Sequence, residues 1–366
     1  MAAPTILVTG ATGKTGRAVV ALLRGRGVPV RAAVRSHDAR SQPLERLGAE
    51  IAVADLLDRG QMTAAMQGVQ RAYFLPPFNP RVDEAASVFA EAACEARIES
   101  VVVLSQWLAS PHHPALLTRQ LWAVERMFAA LPGIATTIVA PGFFADNYLR
   151  LIGFASQLGL LPSLTGQSRN APPSNEDIAR VAVAALLDPA EHEGRFHRPT
   201  GPELLSTADM AAILSRVLGR KVRAMPMPVW LFLKAARMQG VSPFQLSGVR
   251  YWVEDHKQGA FEFCAPTDHV LQATGRPPED FGTIARRYAA WPEARRSFGT
   301  GLRASVDFMR TPVMPGYNLD RFDRRHGFPA PPGARFAMQD EGWKADRQMQ
   351  ATRGGTVQPP RSGVAA

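Results

Sequence analysis

Residues 5–16 of this chain, TILVTGATGKTG, decide its fold. The β-branched run over residues 5–9 is typical of a buried strand, and RAVVALLR over residues 17–24 has the apolar spacing of a helix. Between them lie three glycines in the pattern G-x-x-G-x-x-G. Glycine there allows a tight turn, brings backbone amides against a pyrophosphate and lets the helix pack closely on the strand. The stretch therefore predicts the phosphate-binding turn of a dinucleotide-binding domain; the alternative is a glycine turn that holds no ligand.

Strands and helices continue to alternate over the first 150 residues. Apolar runs predict further strands at residues 28–34, 50–54, 72–75, 100–105 and 136–140. Strands that alternate with helices at this spacing form a parallel sheet covered on both faces. We therefore predict an α/β fold with a doubly wound parallel sheet of the Rossmann type.

Three segments follow from this pattern. Residues 1–150 are expected to form the NAD(P)-binding domain, and residues 151–290 a smaller substrate lobe that closes over the C-terminal edge of the sheet. Residues 291–366 lack a sustained hydrophobic period and are rich in Pro and Gly. We expect them to form an irregular, basic extension whose last residues are disordered.

The composition is typical of a folded protein from a reducing compartment. Of the 366 residues 46% are apolar and 20% are charged, and two cysteines, Cys94 and Cys264, are too few for a disulfide framework or a thiolate metal site. The first residues run into a strand without the features of a signal peptide, and no apolar stretch is long enough to cross a bilayer. We expect a cytoplasmic protein without a membrane segment.

The net charge of +10 comes from 42 Lys+Arg against 32 Asp+Glu. Half of the excess lies in residues 291–366, which hold 12 Lys+Arg and 7 acidic residues. A basic excess is compatible with a polyanionic partner, but the chain has neither a helix-turn-helix pattern nor an aromatic RNA-binding pattern. We therefore expect a solvated basic surface rather than a nucleic-acid partner.

The residues after the second and third strands bear on the choice of dinucleotide. An acid at the tip of the second strand accepts the ribose hydroxyls of NAD, whereas an arginine favours the 2′-phosphate of NADP. Here the tip carries Arg35 and no acid, and Lys14 of the glycine loop can join it in holding that phosphate. NADP(H) is therefore preferred and NAD(H) is possible, unless Arg35 is one more surface arginine. Asp55 and Leu56 are placed to hold the adenine, with a turn or helix-capping aspartate as the alternative.

These residues resemble the NmrA-like branch of the atypical short-chain dehydrogenase/reductases, which are NAD(P)-binding Rossmann proteins. The resemblance extends over about residues 4–290. It is carried by TGATGKTG at residues 9–16, AVR at 33–35, YFLPP at 73–77, VVVLS at 101–105 and IVAPGFFADN at 138–147. One departure is Ala140, where related proteins often have arginine before Pro-Gly.

The resemblance implies that the glycine loop binds the pyrophosphate and that residues after the second and third strands contact the adenosine. It implies nicotinamide contacts from residues after the fourth, fifth and sixth strands. The expected cofactor-binding residues, in chain order, are Gly10, Thr12, Gly13, Lys14, Thr15, Gly16, Arg35, Asp55, Leu56, Pro76, Pro77, Ser105 and Pro141.

The catalytic dyad of the wider superfamily is absent. That dyad, Tyr-x-x-x-Lys, passes a proton to a substrate carbonyl. The residue four places after each of the five tyrosines is Pro77, Ile152, Asp255, Pro292 or Arg321. A standard ketone reductase mechanism is therefore not expected, although quinone, flavin or conjugated iminium acceptors can take hydride without the dyad.

No catalytic residue is assigned, but several side chains are candidates for a substrate pocket. The polar candidates are Ser105, Gln106, His113 and Asn147, and the expected walls are Trp107, Phe143 and Phe144, with Trp122 as a further wall or a core residue. His113 lies in a His-His pair between prolines, which is also typical of a surface turn. Asn147 is also placed to cap the helix after Pro141.

Other chemistries are excluded by spacing. His192 and His197 are five residues apart rather than the four of a zinc H-E-x-x-H helix, and no metal site is predicted. Gly13-Lys14-Thr15 resembles the end of a P-loop, but the glycine that this motif needs five positions earlier is Val8. No G-x-S-x-G elbow of a serine hydrolase is present.

The sequence thus predicts an NADPH-dependent oxidoreductase that reduces a small conjugated or quinone-like organic acceptor. The alternative, which the missing dyad favours, is a non-catalytic NADP(H) redox sensor that acts through a protein partner. A small-molecule substrate is expected, nucleic acid and membrane are not, and the oligomeric state is left open. The apolar segment 226–238 is either a lid or partner groove, or a packed helix of the second lobe.

Overall fold

A parallel sheet lies at the centre of the computed structural model, which describes residues 3–352. The strands are β1 Ile6–Val8, β2 Val30–Val34, β3 Glu50–Val53, β4 Arg71–Phe74, β5 Ser100–Leu104, β6 Ala135–Val139, β7 Leu160–Ser163, β8 Arg169–Asn170, β9 Phe196–His197, β10 Leu205–Ser206 and β11 Arg223–Pro226. Seven of them form the central sheet in the order β3-β2-β1-β4-β5-β6-β9, with every neighbour parallel. The predicted doubly wound fold is confirmed.

The helices cover both faces of this sheet and extend into the rest of the chain. They are α1 Lys14–Arg24, α2 Gln42–Arg46, α3 Arg59–Met66, α4 Val82–Glu95, α5 Leu116–Ala129, α6 Ala145–Leu149, α7 Ile152–Leu158, α8 Asn175–Leu187, α9 Pro189–His192, α10 Thr207–Leu218, α11 Val229–Met238, α12 Pro243–Lys257, α13 His269–Thr274, α14 Phe281–Ala289, α15 Phe298–Arg310, α16 Leu319–His326 and α17 Glu341–Thr352. None of these helices is long and apolar enough to cross a membrane.

Two apolar layers hold the sheet between its helices. On one face α3, α4 and α5 bury Met62, Phe89 and Phe128 against the strands. On the other face α1 and α8 bury Val19 and Ile178. Because both faces are covered, the strands carry the continuous apolar runs from which they were predicted.

The six predicted strands are present, with ends that differ by a residue or two. The seventh, β9, was not predicted, because two residues are too short to show a period. It is added at the sheet edge by backbone hydrogen bonds, in which the Ile138 amide donates to the Arg195 carbonyl at 3.0 Å and the Ala140 amide donates to the His197 carbonyl at 2.8 Å.

The second lobe is built largely from residues after 144. There β7 pairs with β11, β8 pairs with β10, and α6, α7, α10 and α14 enclose a separate apolar cluster. The chain nevertheless returns to the central sheet through α8 and β9, so a boundary at residue 150 does not divide the two lobes cleanly. The segment 226–238 is mostly helix α11, which packs on α12 and leaves Trp230 54% exposed.

The extension differs from the irregular segment that was expected, because α15, α16 and α17 lie within it. In α17, Trp343 is 3% exposed and packs in one cluster with Trp107, and the Arg347 side chain is buried. Helices that bury only isolated residues show no sustained hydrophobic period, which is why the sequence suggested an irregular chain. The expected disorder of the last residues concerns residues 353–366, which lie outside the described part of the chain.

Candidate active site

The glycine loop forms a cradle that side chains would fill. Gly10 has a positive φ of 60°, and a Cβ on it would lie 2.9 Å from Leu75 Cδ2. A Cβ on Gly16 would collide with the Gly10 carbonyl oxygen. Helix α1 starts directly after Gly13 without a side-chain cap, so its first amides remain available. Free amides at the positive end of a helix, next to a backbone without side chains, fit the pyrophosphate of a dinucleotide.

The residues expected on the adenosine side lie at the surface after β2 and β3. Arg35 is exposed, and its side chain makes no hydrogen bond or ion pair within residues 3–352. Asp55 is half-buried and its carboxylate accepts a hydrogen bond from the Leu57 amide at 3.0 Å, as a turn aspartate does. Leu56 packs against the core beneath it. Arg35 is therefore free for a phosphate, whereas part of the hydrogen-bonding capacity of Asp55 is already used.

Lys14 does not join Arg35, contrary to expectation. Its Nζ pairs with the carboxylate of Asp146 on α6 and lies 4.9 Å from the ring centre of Trp291. Burial would raise the pKa of Asp146, but hydrogen bonds from Lys14 and Tyr288 outweigh it and hold the pKa below its usual value. This carboxylate attracts Lys14 towards the second lobe and away from β2.

A cavity of about 620 Å³ runs from the glycine loop to the second lobe. Most residues predicted for the cofactor and substrate line it: Gly13, Lys14, Thr15, Pro76, Pro77, Ser105, Gln106, Trp107, Pro141, Phe143, Phe144 and Asn147. The rest of the glycine loop, Arg35, Asp55 and Leu56 lie outside it, as does Trp122. The sheet thus brings together the ends of β4, β5 and β6, because parallel strands end at the same edge.

His113 is not part of this cavity. It is completely buried, its Nε2 lies 2.6 Å from Asp255 Oδ2, and its Nδ1 accepts a hydrogen bond from the Ala115 amide at 3.0 Å. The other carboxylate oxygen of Asp255 accepts from the Ala337 amide at 2.8 Å. Both the pocket role and the surface turn are therefore wrong, because His113 joins the loop before α5 to α12 and the extension.

Trp107 and Asn147 differ in part from their expected roles. The Trp107 indole is 1% exposed, donates to the Ala260 carbonyl at 2.7 Å and has the Arg198 guanidinium 3.7 Å from its ring centre. It therefore supports the cavity from the core. Asn147 lies inside α6, whose N-cap is Phe144, so it does not cap the helix and remains on the cavity wall.

Two hydrogen-bonded groups at the cavity were not predicted. Tyr148 Oη lies 2.9 Å from His256 Nε2, and the other ring nitrogen of His256 lies 2.8 Å from Ser168 Oγ. Burial lowers the pKa of His256 to about 4 and raises that of Tyr148, so both are neutral near pH 7. The residues lie 108 positions apart, and no local pattern connects them.

The second group is at the end of β5. Ser105 Oγ hydrogen-bonds the carboxylate of Glu125 on α5, which is 2% exposed. Burial raises the pKa of Glu125 to about 7. Next to Ser105, Gln106 lines the cavity, and its side-chain amide nitrogen is buried without a hydrogen-bond partner in the described residues. Within those residues no group of three or more potential ligands could hold a metal ion.

Comparison with known proteins gives a consistent result. The model of the NmrA-like family matches residues 2–262. An NAD(P)H azoreductase from Xenophilus azovorans is 31% identical over 293 residues, which are 78% of this chain and 98% of that protein. A (4-alkanoyl-5-oxo-2,5-dihydrofuran-3-yl)methyl phosphate reductase from Streptomyces griseus is 32% identical over 285 residues, with 78% and 98% covered.

A solved structure of an NADPH-dependent quinone oxidoreductase from Escherichia coli, in complex with NADPH, has the same fold. Its TM-score is 0.66 at 23% identity, and the match covers 77% of this chain and 99% of that chain. The family match ends at residue 262, before the extension. The relative from Xenophilus azovorans is thus named for NAD(P)H-linked reduction. The chain belongs to the NmrA-like family.

Proposed function

We propose that the protein is an NADPH-dependent reductase of small, planar, conjugated acceptors such as quinones, azo compounds and enones. The observation that carries the proposal is the cavity of about 620 Å³ between the glycine loop and the second lobe. Its volume suits a small molecule, and aromatic and aliphatic side chains form most of its wall. The relatives named for azo and quinone acceptors support the same substrate class.

The cofactor side follows from the glycine loop and Arg35. The amides at the start of α1 bind the pyrophosphate, and the exposed Arg35 pairs with a 2′-phosphate, so NADP(H) is preferred over NAD(H). Bound NADPH supplies a hydride to the acceptor. Pro76, Pro77 and Pro141 line the cavity, and they would form the wall beside the nicotinamide and exclude water from that side.

The substrate side is flat and mostly apolar. The Phe143 ring centre lies 5.3 Å from that of Phe261 and 5.6 Å from that of Tyr148, and these rings can stack on a planar acceptor. Gln106 Nε2 can donate to a carbonyl or azo group. In a conjugated acceptor the added electron pair is delocalised, so the reaction does not need the tyrosine and lysine of a ketone reductase.

The proposal includes a cytoplasmic location, where NADPH is regenerated and where the two free cysteines, Cys94 and Cys264, remain reduced. The experiment is to follow NADPH oxidation by the purified protein with a quinone, an azo dye and an enone. Oxidation well above the rate with free cofactor supports the reductase. Tight NADPH binding without turnover of any acceptor contradicts it and favours the redox sensor with a protein partner.

A further inference from the structure

Glu125 lies behind the cavity wall, and within the described residues Ser105 is the cavity-lining residue to which it is hydrogen-bonded. Ser105 ends β5, lines the cavity and is 7% exposed, and its hydroxyl hydrogen-bonds Glu125 on α5. Glu125 itself does not line the cavity. A buried carboxyl group in contact with one hydroxyl that faces a substrate site is arranged as a proton donor and its carrier.

The charged groups that face Glu125 come from three elements. They are Arg126 on its own helix, Arg198 directly after β9, and Arg347 on α17 of the extension. Each of them favours the carboxylate, whereas burial favours the neutral carboxyl and has the larger effect. The pKa of Glu125 is raised to about 7, so near neutral pH a proton is present on this group in part of the molecules.

The two arginines from other elements are fixed in place by carbonyl oxygens. Arg347 donates to the Ala109 carbonyl at 3.0 Å and to Gln350 Oε1 at 2.7 Å. Arg198 donates to the Trp107 carbonyl at 3.0 Å and also to Gln350 Oε1, at 3.1 Å. These bonds attach α17 to the loop that follows β5. The extension therefore contributes charge behind the cavity, although the family match ends at residue 262.

We propose that Glu125 is the proton donor of the site, that its proton reaches the acceptor through Ser105, and that Arg347 is a positioning residue whose charge acts on Glu125 from the extension. This inference rests on the proposed reductase function. After the acceptor has received a hydride, one of its heteroatoms needs one proton. The Ser105 O–H bond breaks as the acceptor O–H or N–H bond forms, and the Glu125 carboxyl proton moves to Ser105 Oγ. Glu125 is left as a carboxylate and regains a proton from water.

The relay works only when Glu125 is protonated. An ionised Glu125 accepts the Ser105 hydrogen and holds it away from the cavity, whereas a protonated Glu125 donates to Ser105 and leaves the Ser105 hydrogen free. The pair of Tyr148 and His256 at the cavity does not replace it, because His256, with its pKa of about 4, carries no spare proton near pH 7. Proton delivery therefore decreases as the pH rises through about 7.

A first test needs no turnover. Infrared spectra of the full-length protein without cofactor are recorded across pH, and the band of protonated carboxyl groups is followed. We expect a carboxyl group that titrates near pH 7, that is lost in Glu125→Gln and is retained in Glu91→Gln, an exposed glutamate on α4. The proposal is overturned if the wild-type protein lacks this titration or if Glu125→Gln retains it.

A second test uses the pH dependence of turnover. Glu125→Gln should lower the rate with the best acceptor on the order of 100-fold, and the loss above pH 7 should disappear. Arg347→Met should move the midpoint of that loss, and of the infrared titration, to higher pH, while Arg347→Lys should restore both. Thermal melting and NADPH affinity identify variants that have merely lost their fold. Arg324→Met on α16 is the exposed control.

The two proposals fail in different ways. If the wild-type protein reduces none of the acceptors, the proposed function fails and the relay fails with it, whereas the infrared titration still decides whether Glu125 holds a proton near pH 7. If the wild-type protein is active and Glu125→Gln keeps its rate and pH profile, the relay is wrong and the reductase remains. If Arg347→Met and Arg347→Lys behave alike, Arg347 does not act through its charge.

Discussion

Lys14 of the glycine loop is ion-paired with Asp146 of α6, 132 residues further along the chain. The Asp146 carboxylate also accepts from Tyr288 Oη at 2.6 Å and pairs with Arg150 at 2.9 Å. This one side chain therefore joins the start of the cofactor cradle to two helices of the second lobe. The contact thus connects the glycine loop to the second lobe.

Asp146→Asn should destabilise the protein by about 1–2 kcal/mol at pH 7, because Lys14 is half exposed and only part of the pair is shielded from water. The pKa of Asp146 is lowered in the folded protein. Its contribution is therefore fully present above the unfolded pKa of about 4 and is lost as the pH falls through the folded value. Urea unfolding should show that the difference in free energy of unfolding between the two proteins decreases as the pH falls. A difference that stays constant would contradict a stabilising role for the ionised Asp146.

Arg35→Ala should weaken NADPH binding by about tenfold or more and leave NADH binding nearly unchanged, because only NADPH carries the 2′-phosphate. Arg216→Ala, an exposed arginine on α10, is the matched control and should affect neither. Fluorescence titration with both nucleotides measures the effect. Equal losses for the two nucleotides would remove the physical reason for preferring NADP(H).

His113→Ala should destabilise the protein by about 3 kcal/mol, because it leaves the buried carboxylate of Asp255 without its partner. The neighbouring His112 is exposed, and His112→Ala should have little effect. Denaturant unfolding gives both values. Because His113 does not line the cavity, nucleotide affinity should be unchanged in the folded variant. A loss of nucleotide affinity without a loss of stability would show that His113 contributes to the binding site.

Trp343→Ala should lower the free energy of unfolding by about 3–5 kcal/mol, because this side chain of the extension is 3% exposed and packs in one cluster with Trp107. Trp230→Ala on α11 removes an equally large side chain that is 54% exposed, and should cost less than about 1 kcal/mol. Thermal melting compares them. Similar melting temperatures for Trp343→Ala and the wild-type protein would mean that the extension does not support the core.

Much of the fold and part of the site could be predicted because their signals are local. The strands carry unbroken apolar runs, since both faces of the sheet are buried, and their ends meet at one edge. This common edge is why Pro76, Ser105 and Pro141, which follow three different strands, line the same cavity. The two-residue strand β9 could not be predicted because it is too short to show a period, and α17 could not because it buries isolated residues rather than a continuous apolar face.

The sequence by itself determined the doubly wound sheet, the glycine cradle and the absence of the tyrosine and lysine dyad, because each depends on residues close together in the chain. Only the tertiary structure decided the partner of Lys14, the burial of His113 against Asp255 and the contact between Ser105 and Glu125. The first two pairs are 132 and 142 residues apart. The state of Glu125 depends on burial and on arginines from other elements, and folding alone brings these together.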